Sequence, residues 1–387
     1  MSADRERADA ERADAERPDR GSARSRVAFV DWLRLVAALQ MIIGHTLDAV
    51  LVDGVREGAV FHTWTQIRGL TAPAFLLASG VSFALASRLD DAGAYAALRA
   101  RVGARRRRVV RSAWLVVLGT LLHAFDAPWV VDVLQCVGLT LLVLDLAVTL
   151  APRPEQVSRA ALVGALAILV VALPIERAIA PEDHCGLARY ALGWIDRDGG
   201  SLFPLIPWAF YVLAGVVVAR LAIARGARTA AHVVVARLVA VAVGAGVLAW
   251  IADRVLDAPT AATWSSHPAI VLGRTGVVLL LAAVLAALGA RVDLPRWGTT
   301  LAGETLALYV VHLLVLFAEG LGPGRVWAHA LSIEASLALA LAMLAGSVAV
   351  ALGWARVWPP LEARWMPWLR APRSTLPPDV RAAKNGP

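Results

Sequence analysis

Residues 26–50 read RVAFVDWLRLVAALQMIIGHTLDAV. The run is apolar and long enough to cross a hydrocarbon core, which takes ~20 helical residues. Its ionisable residues are not scattered through it. Asp31 and Arg34 lie near its start, and His45 and Asp48 at its end. A charge near the bilayer centre costs at least ~2.5–3.5 kcal/mol on insertion scales, so a retained one is paired, buried or functional. Asp31 and Arg34 are three apart and share one helical face, where they can neutralise each other.

Nine further apolar runs follow, at about 69–87, 110–124, 130–150, 158–175, 203–222, 232–252, 268–290, 299–318 and 335–355. They are continuous rather than alternating, which favours a helical bundle over a barrel. The composition agrees. Hydrophobic residues make up 58% and charged residues 18%, where a soluble domain is roughly 45–50% apolar and about 25% charged. A soluble enzyme and a nucleic-acid module are therefore both disfavoured, despite a net charge of +8. Ten spans put both termini on one side. With that side taken as cytoplasmic, the inner loops and tails carry +16 and the outer loops −7, a strong positive-inside bias. The expected fold is an all-α polytopic membrane protein of about ten helices, with both termini cytoplasmic.

Three regions are expected along the chain. Residues 1–26 repeat ERADA-ERADA-ERPDR with balanced charge and no apolar core, a solvated low-complexity tail rather than a signal peptide. Residues 27–356 form the membrane domain, and 357–387 a Pro- and Arg-rich cytoplasmic tail. Cys136 and Cys185 fall in an apolar run and a polar loop, and no disulfide is expected.

The ionisable residues narrow the chemistry. Six of the eight histidines, at 45, 62, 123, 184, 267 and 329, lie at or beyond the outer ends of the spans. A neutral imidazole takes a proton from a hydroxyl or amine and returns it near physiological pH. His45 has Asp48 three residues on, a carboxylate able to orient its ring, and His62 lies in FHTW just before the second span. The short connection lets both reach one cleft. Deeper in the ninth span, Glu304 and His312 are eight apart on nearly one face, placed to close a proton path or to bond neighbouring helices. On the inner side, Arg105, Arg106, Arg107, Arg108 and Arg111, with Arg99 and Arg101 in reach, are a topological signal. They also suit phosphate, which guanidinium forks bind in pairs. Trp208, with Phe203 and Pro204, is placed to wall an outer cleft. No liganding spacing surrounds the histidines, and CxxC, HExxH, GxSxG and Walker A runs are absent, so no metal site is expected and hydrolase and ATPase readings lack support.

Several segments resemble the transmembrane acyltransferase superfamily, with the acyltransferase 3 family as a near relative. Residues 26–50 are similar to its opening helix, with Asp-x-x-Arg and an outer His. LTAPAFLLASGVSFALASR (70–88) resembles its second helix and VDVLQCVGLTLL (131–142) its fourth. FPLIPWAFYVLAGVVVARL (203–221) and LALYVVHLLVL (306–316) are similar to later helices of the heparan-alpha-glucosaminide N-acetyltransferase-like branch. The resemblance implies transfer of an acyl group, usually acetyl, from cytoplasmic acyl-CoA to a sugar or glycan on the far side of a bacterial inner membrane. It points to Asp31 and Arg34 as the signature pair, His45 as the outer histidine, and His62 as the match to the functional histidine of the lysosomal branch. The spacing from His62 to Pro73 is shorter than in that branch, so both histidines stay open, as general base or acyl carrier. The alternative is a multi-pass transporter or flippase without acyl-transfer chemistry, since buried ionisable groups also serve proton-coupled transport.

Overall fold

The computed structural model describes residues 20–124, 130–178, 186–195, 197, 201–223, 230–260 and 265–365. They form helices in the order α1 (Arg20–Val50), α2 (Asp53–Arg56), α3 (Ala59–Arg68), α4 (Thr71–Ala86), α5 (Ala92–Ala100), α6 (Val102–Leu122), α7 (Val133–Leu150), α8 (Pro154–Ala178), α9 (Gly186–Gly193), α10 (Leu205–Val218, continued by a π-turn Ala219–Ile223), α11 (Ala231–Val255), α12 (Pro268–Gly289), α13 (Arg296–Gly303), α14 (Thr305–Leu316), α15 (Pro323–Val326) and α16 (Ile333–Trp365). Among the described residues the only β pairing is a bridge between Leu51 and Leu331. The repetitive tail and the last residues of the chain lie outside the described part.

Eight segments are long and apolar enough to cross a membrane, and the pair α13–α14, bent by 72°, makes a ninth. A tenth expected span is occupied by α6, which pairs with α7 but carries four arginines in its first two turns. The second span is longer than its apolar core suggests, because α3 leads into α4 to give one crossing over Ala59–Ala86.

Helix α1 is the hub. Phe29, Val30, Leu33 and Ala37 on one face enter the large core shared with α4, α7, α8, α10, α11 and α12. Leu35, Ala38 and Ile42 on the other face enter a smaller core with α13, α14 and α16. Both stripes follow the 3.6-residue period. A helix buried on two faces fixes where its polar residues at each end can point.

In lipid, helices gain from close van der Waals approach, and small residues permit it. The α4–α10 crossing rests on Gly80 and Gly215: a Cβ on Gly80 would stand 1.9 Å from the Val212 carbonyl oxygen, and one on Gly215 2.2 Å from that of Leu77. The α6–α7 hairpin meets the same way, with a Cβ on Gly138 placed 2.7 Å from the Ser112 carbonyl oxygen. Gly244 has open space in place of such contacts. Gly80→Ala is therefore expected to cost roughly 1–3 kcal/mol as the helices part, and Gly244→Ala to leave stability unchanged. Thermal unfolding of the two variants in detergent checks this, and equal midpoints would refute the Gly-on-Gly crossing.

Candidate active site

The outer end of α1 carries His45, and its ring meets His312 of α14 with ring centres 5.4 Å apart. His312 is completely buried. Its Nδ1–H donates to the Leu308 carbonyl at 2.8 Å, one turn back on the same helix. A carbonyl accepts only, so this bond places the proton on Nδ1 and leaves a lone pair on Nε2. That Nε2 is buried with no hydrogen-bond partner, a condition that asks for an explanation, often a catalytic one.

Tyr309, one turn before His312, packs edge-on against it with centres 5.7 Å apart. Its hydroxyl donates to both carboxylate oxygens of Asp132, at 2.5 and 2.7 Å. Asp132 is 1% exposed and caps α7: the Leu134 N–H reaches its Oδ1 at 3.1 Å, and Gln135 bonds back to the Asp132 N–H at 2.7 Å. Such a reciprocal box satisfies the free donors of a helix start. His123, ending α6, completes the set by donating Nε2–H to Asp132 Oδ2 at 2.7 Å. Four helices thus contribute to one buried polar cluster of His45, His312, Tyr309, Asp132 and His123. The reading from sequence placed His312 with Glu304 and passed over Asp132 and Tyr309. The Asp-x-x-Gln capping pattern at 132–135 and the Tyr-x-x-His face at 309–312 were the signals available.

Asp48 does not orient His45, contrary to expectation. It forms an ion pair with Arg68 at the end of α3. The stem of Arg68 runs over Gly44, where a Cβ would stand 2.8 Å from Arg68 Cδ. A charged neighbour is a stronger partner for a carboxylate than a neutral ring, and the glycine leaves room for it. Arg68 and Asp132 both lie within Coulombic reach of His45. His62 is exposed on α3, and among the described residues no hydrogen bond or ring contact joins it to His45. Next to Arg68, Gly69 approaches Arg274 of α12, whose Nη2 would lie 3.4 Å from a Cβ there. Arg274 in turn stands beside the buried Tyr211 hydroxyl. Trp208 is half-buried between Phe203 and Tyr211, with ring centres 4.8 and 5.9 Å away, and its indole N–H is buried without a partner. His267 is structural, buried as the cap of α12, accepting from the Ala269 N–H and donating to the Asp257 carbonyl. His184 lies outside the described residues.

At the inner end the arginines sit on a helix rather than in a loop. Arg105, Arg106 and Arg111 are exposed on the first turns of α6, and Arg107 is half-buried. Arg108 turns inward: its Nε–H donates to Asp145 Oδ1 of α7 at 2.9 Å, with Ser112 on the other oxygen at 3.4 Å. This pair accounts for the intramembrane Asp145. Arg99 donates to the Val148 and Thr149 carbonyls at 3.0 Å each, and Tyr95 to those of Val148 and Ala151 at 3.2 and 2.8 Å, so both close the end of α7. Burial pushes the Tyr95 hydroxyl up, which keeps it a donor. Arg99, Arg105 and Arg108 line a cavity of about 60 Å³ with Val148 and Thr149. Asp31 and Arg34 act on each other electrostatically on α1. Glu304 does not continue the helix of His312 into α13. It sits half-buried at the break between α13 and α14, with φ −101° and ψ 25°. Among the described residues no three His, Cys, Asp or Glu side chains are placed to hold a metal ion.

The family model for the catalytic region of heparan-alpha-glucosaminide N-acetyltransferase matches residues 26–252, more than half of the chain. The chain belongs to this family. It is thereby a membrane protein of an acetyltransferase class. No curated protein matches it. The family match covers Asp31, Arg34, His45, the arginine-lined cavity, Asp132 and Trp208, and ends within α11. Tyr309 and His312, which complete the outer cluster, lie beyond it.

The Arg108–Asp145 pair crosses the α6–α7 hairpin with side chains only 17% and 1% exposed. Removing one partner of a buried pair strands the other, at a cost of ~3–5 kcal/mol, whereas replacing both by apolar groups is often neutral. Arg108→Met is expected to destabilise strongly and Arg108→Met with Asp145→Leu to recover most of the loss. Unfolding midpoints in detergent test this. A double variant no better than the single one would refute it.

Proposed function

We propose that the chain moves an acetyl group from acyl-CoA, entering at the arginine-lined end of α6, to a sugar hydroxyl or amine at the opposite membrane face, with His45 as general base. The observation that carries this reading is the buried contact of His45 with His312. His45 sits at the outer end of the same helix that carries Asp31 and Arg34, inside the region matching an N-acetyltransferase family, and His312 lies beyond that region. The charge asymmetry of the loops supports a cytoplasmic inner end, and with it the cytoplasmic membrane of a bacterium.

The arginines that line the inner cavity suit an anionic group. Arg99 uses Nε and Nη2 on carbonyls, and Arg108 uses Nε on Asp145. A guanidinium has five N–H donors, so both retain further donors beside the cavity, and exposed Arg105 adds a third fork. The CoA phosphates are the natural acceptors. At the outer end His45 takes the proton of the acceptor as its oxygen or nitrogen attacks the thioester carbonyl, the C–S bond breaks, and the sulfur leaves with its electron pair. Trp208 supplies an aromatic wall with an unpartnered N–H, suited to a sugar that stacks on the ring and accepts a hydrogen bond.

A second reading, transport without acyl transfer, is favoured by the 72° break at Glu304, because broken helices mark many transporter binding sites.

One experiment separates them. Purified protein in detergent and in proteoliposomes is given labelled acetyl-CoA with a panel of amino sugars and glycans. Transfer is expected, with His45→Ala losing about 10²–10⁴-fold in rate and His62→Ala keeping most of it. Arg105→Gln is expected to raise KM for acetyl-CoA severalfold at unchanged kcat. Full activity in His45→Ala would end the base assignment. Sugar flux into proteoliposomes with no acyl transfer would end the enzyme reading.

A further inference from the structure

The cluster around His312 has a feature that the base assignment does not use. His45 is half-buried and packs against a ring, that of His312, whose Nε2 is buried, carries the lone pair and has no partner. Next in line is a buried carboxylate, Asp132, whose oxygens are filled by Tyr309, His123 and the start of α7. A carboxylate carrying negative charge at 1% exposure is costly unless a positive charge stands nearby. His123 meets it from the 22%-exposed end as a hydrogen-bond donor. On the other side stands His312, which lies within Coulombic reach of Asp132 and is linked to it through Tyr309.

We propose that His45 passes its proton to His312, and that Asp132, fixed by Tyr309 and His123, is the buried counter-charge of the imidazolium that forms. This rests on the reading of His45 as the base and adds two positioning residues, Asp132 and Tyr309, and one relay residue, His312. The acceptor O–H or N–H proton goes to one nitrogen of His45 as the acceptor bonds to the thioester carbon. The N–H on the other nitrogen of His45 goes to Nε2 of His312. His312 then holds protons on both nitrogens, with Nδ1–H still on the Leu308 carbonyl. The proton returns by the same route to the departing sulfur, giving acylated acceptor and free CoA thiol. Ring centres 5.4 Å apart are close enough for one water or a small ring rotation to complete the N–H···N contact. A hydrophobic partner in place of His312 would leave His45 to store the charge alone, in a site with few other partners.

Asp132→Asn isolates the charge. Asparagine caps a helix as well as aspartate does and keeps an oxygen for Tyr309, so the fold is preserved while the negative charge is lost. Tyr309→Phe keeps the ring against His312 and removes only the tether. The assay is acetyl transfer from acetyl-CoA by the full chain to whichever acceptor of the panel is used, with unfolding midpoints measured alongside. Asp132→Asn is expected to lower kcat by about tenfold or more, within the ~10²–10⁴ that a positioned base contributes, at unchanged KM for both substrates and near-unchanged midpoint. Tyr309→Phe is expected to give a smaller loss of the same kind. The deciding measurement is the double variant. If Asp132 acts through His312, His312→Gln with Asp132→Asn is no slower than His312→Gln alone, because groups acting as a unit are not additive. Losses that multiply, or an Asp132→Asn enzyme with normal kcat, would overturn the proposal. A His45→Ala enzyme with full activity would instead remove the reading on which it rests, so the two failures are distinct.

Discussion

A polar group inside a bilayer has no water to fall back on, and the whole arrangement follows from that constraint. Asp145 is answered by Arg108 and Ser112, Asp132 by Tyr309 and His123, Asp48 by Arg68, and Gln135 by the Thr120 hydroxyl. Three of these four links join α6 to α7, so that hairpin is held by polar contacts as well as by the close approach at Gly119 and Gly138. Against that background the unanswered groups are conspicuous. The His312 Nε2 and the Trp208 indole N–H are buried without a partner, while the Tyr211 hydroxyl stands beside Arg274. Buried polar atoms without partners ask for an explanation, and on the proposed reading they serve proton transfer at His312 and the acceptor at Trp208.

The spans were legible in the sequence because the bilayer imposes a length and a hydropathy that need no knowledge of neighbours. Nine of the ten expected runs correspond to segments long and apolar enough to cross, the ninth of these as a bent pair. The third run was read short for a physical reason: the first half of α6 is arginine-rich, so its hydropathy fails while its helix persists. Bends are invisible for the converse reason. Glu304 sits in an unremarkable apolar stretch, and only packing of α13 against α1 and α16 shows that the chain turns there.

The site was legible residue by residue but not as a set. His45, His312, Arg108 and Trp208 stood out because ionisable or amphipathic residues are rare in spans. Their partners did not. Asp132 read as one acid among several in an outer loop, Arg68 as a loop base, and Tyr309 as one more apolar residue of a helix. Sequence spacing could pair Asp48 with His45, three residues apart, but it could not weigh that against an arginine brought in by another helix. Long-range partners are chosen by topology, and the topology here is set by glycine contacts that carry no chemical signature of their own.

Helix α1 carries both ends of the reading, and its length constrains the chemistry. Asp31 and His45 are fourteen residues apart, which at ~1.5 Å per residue is about 21 Å, some two-thirds of a hydrocarbon core of ~30 Å. The arginines that suit donor phosphates sit at one end of this distance and the histidines at the other. A donor held by its phosphates at the inner end must therefore extend its thioester arm most of the way across the bundle before His45 can act. The acceptor does not need to enter at all: His45 is half-buried at the outer surface, one helical turn below the ion pair of Asp48 with Arg68. On the proposed reading the membrane is crossed by the acyl group alone, and the polar sugar stays on the side where it is soluble.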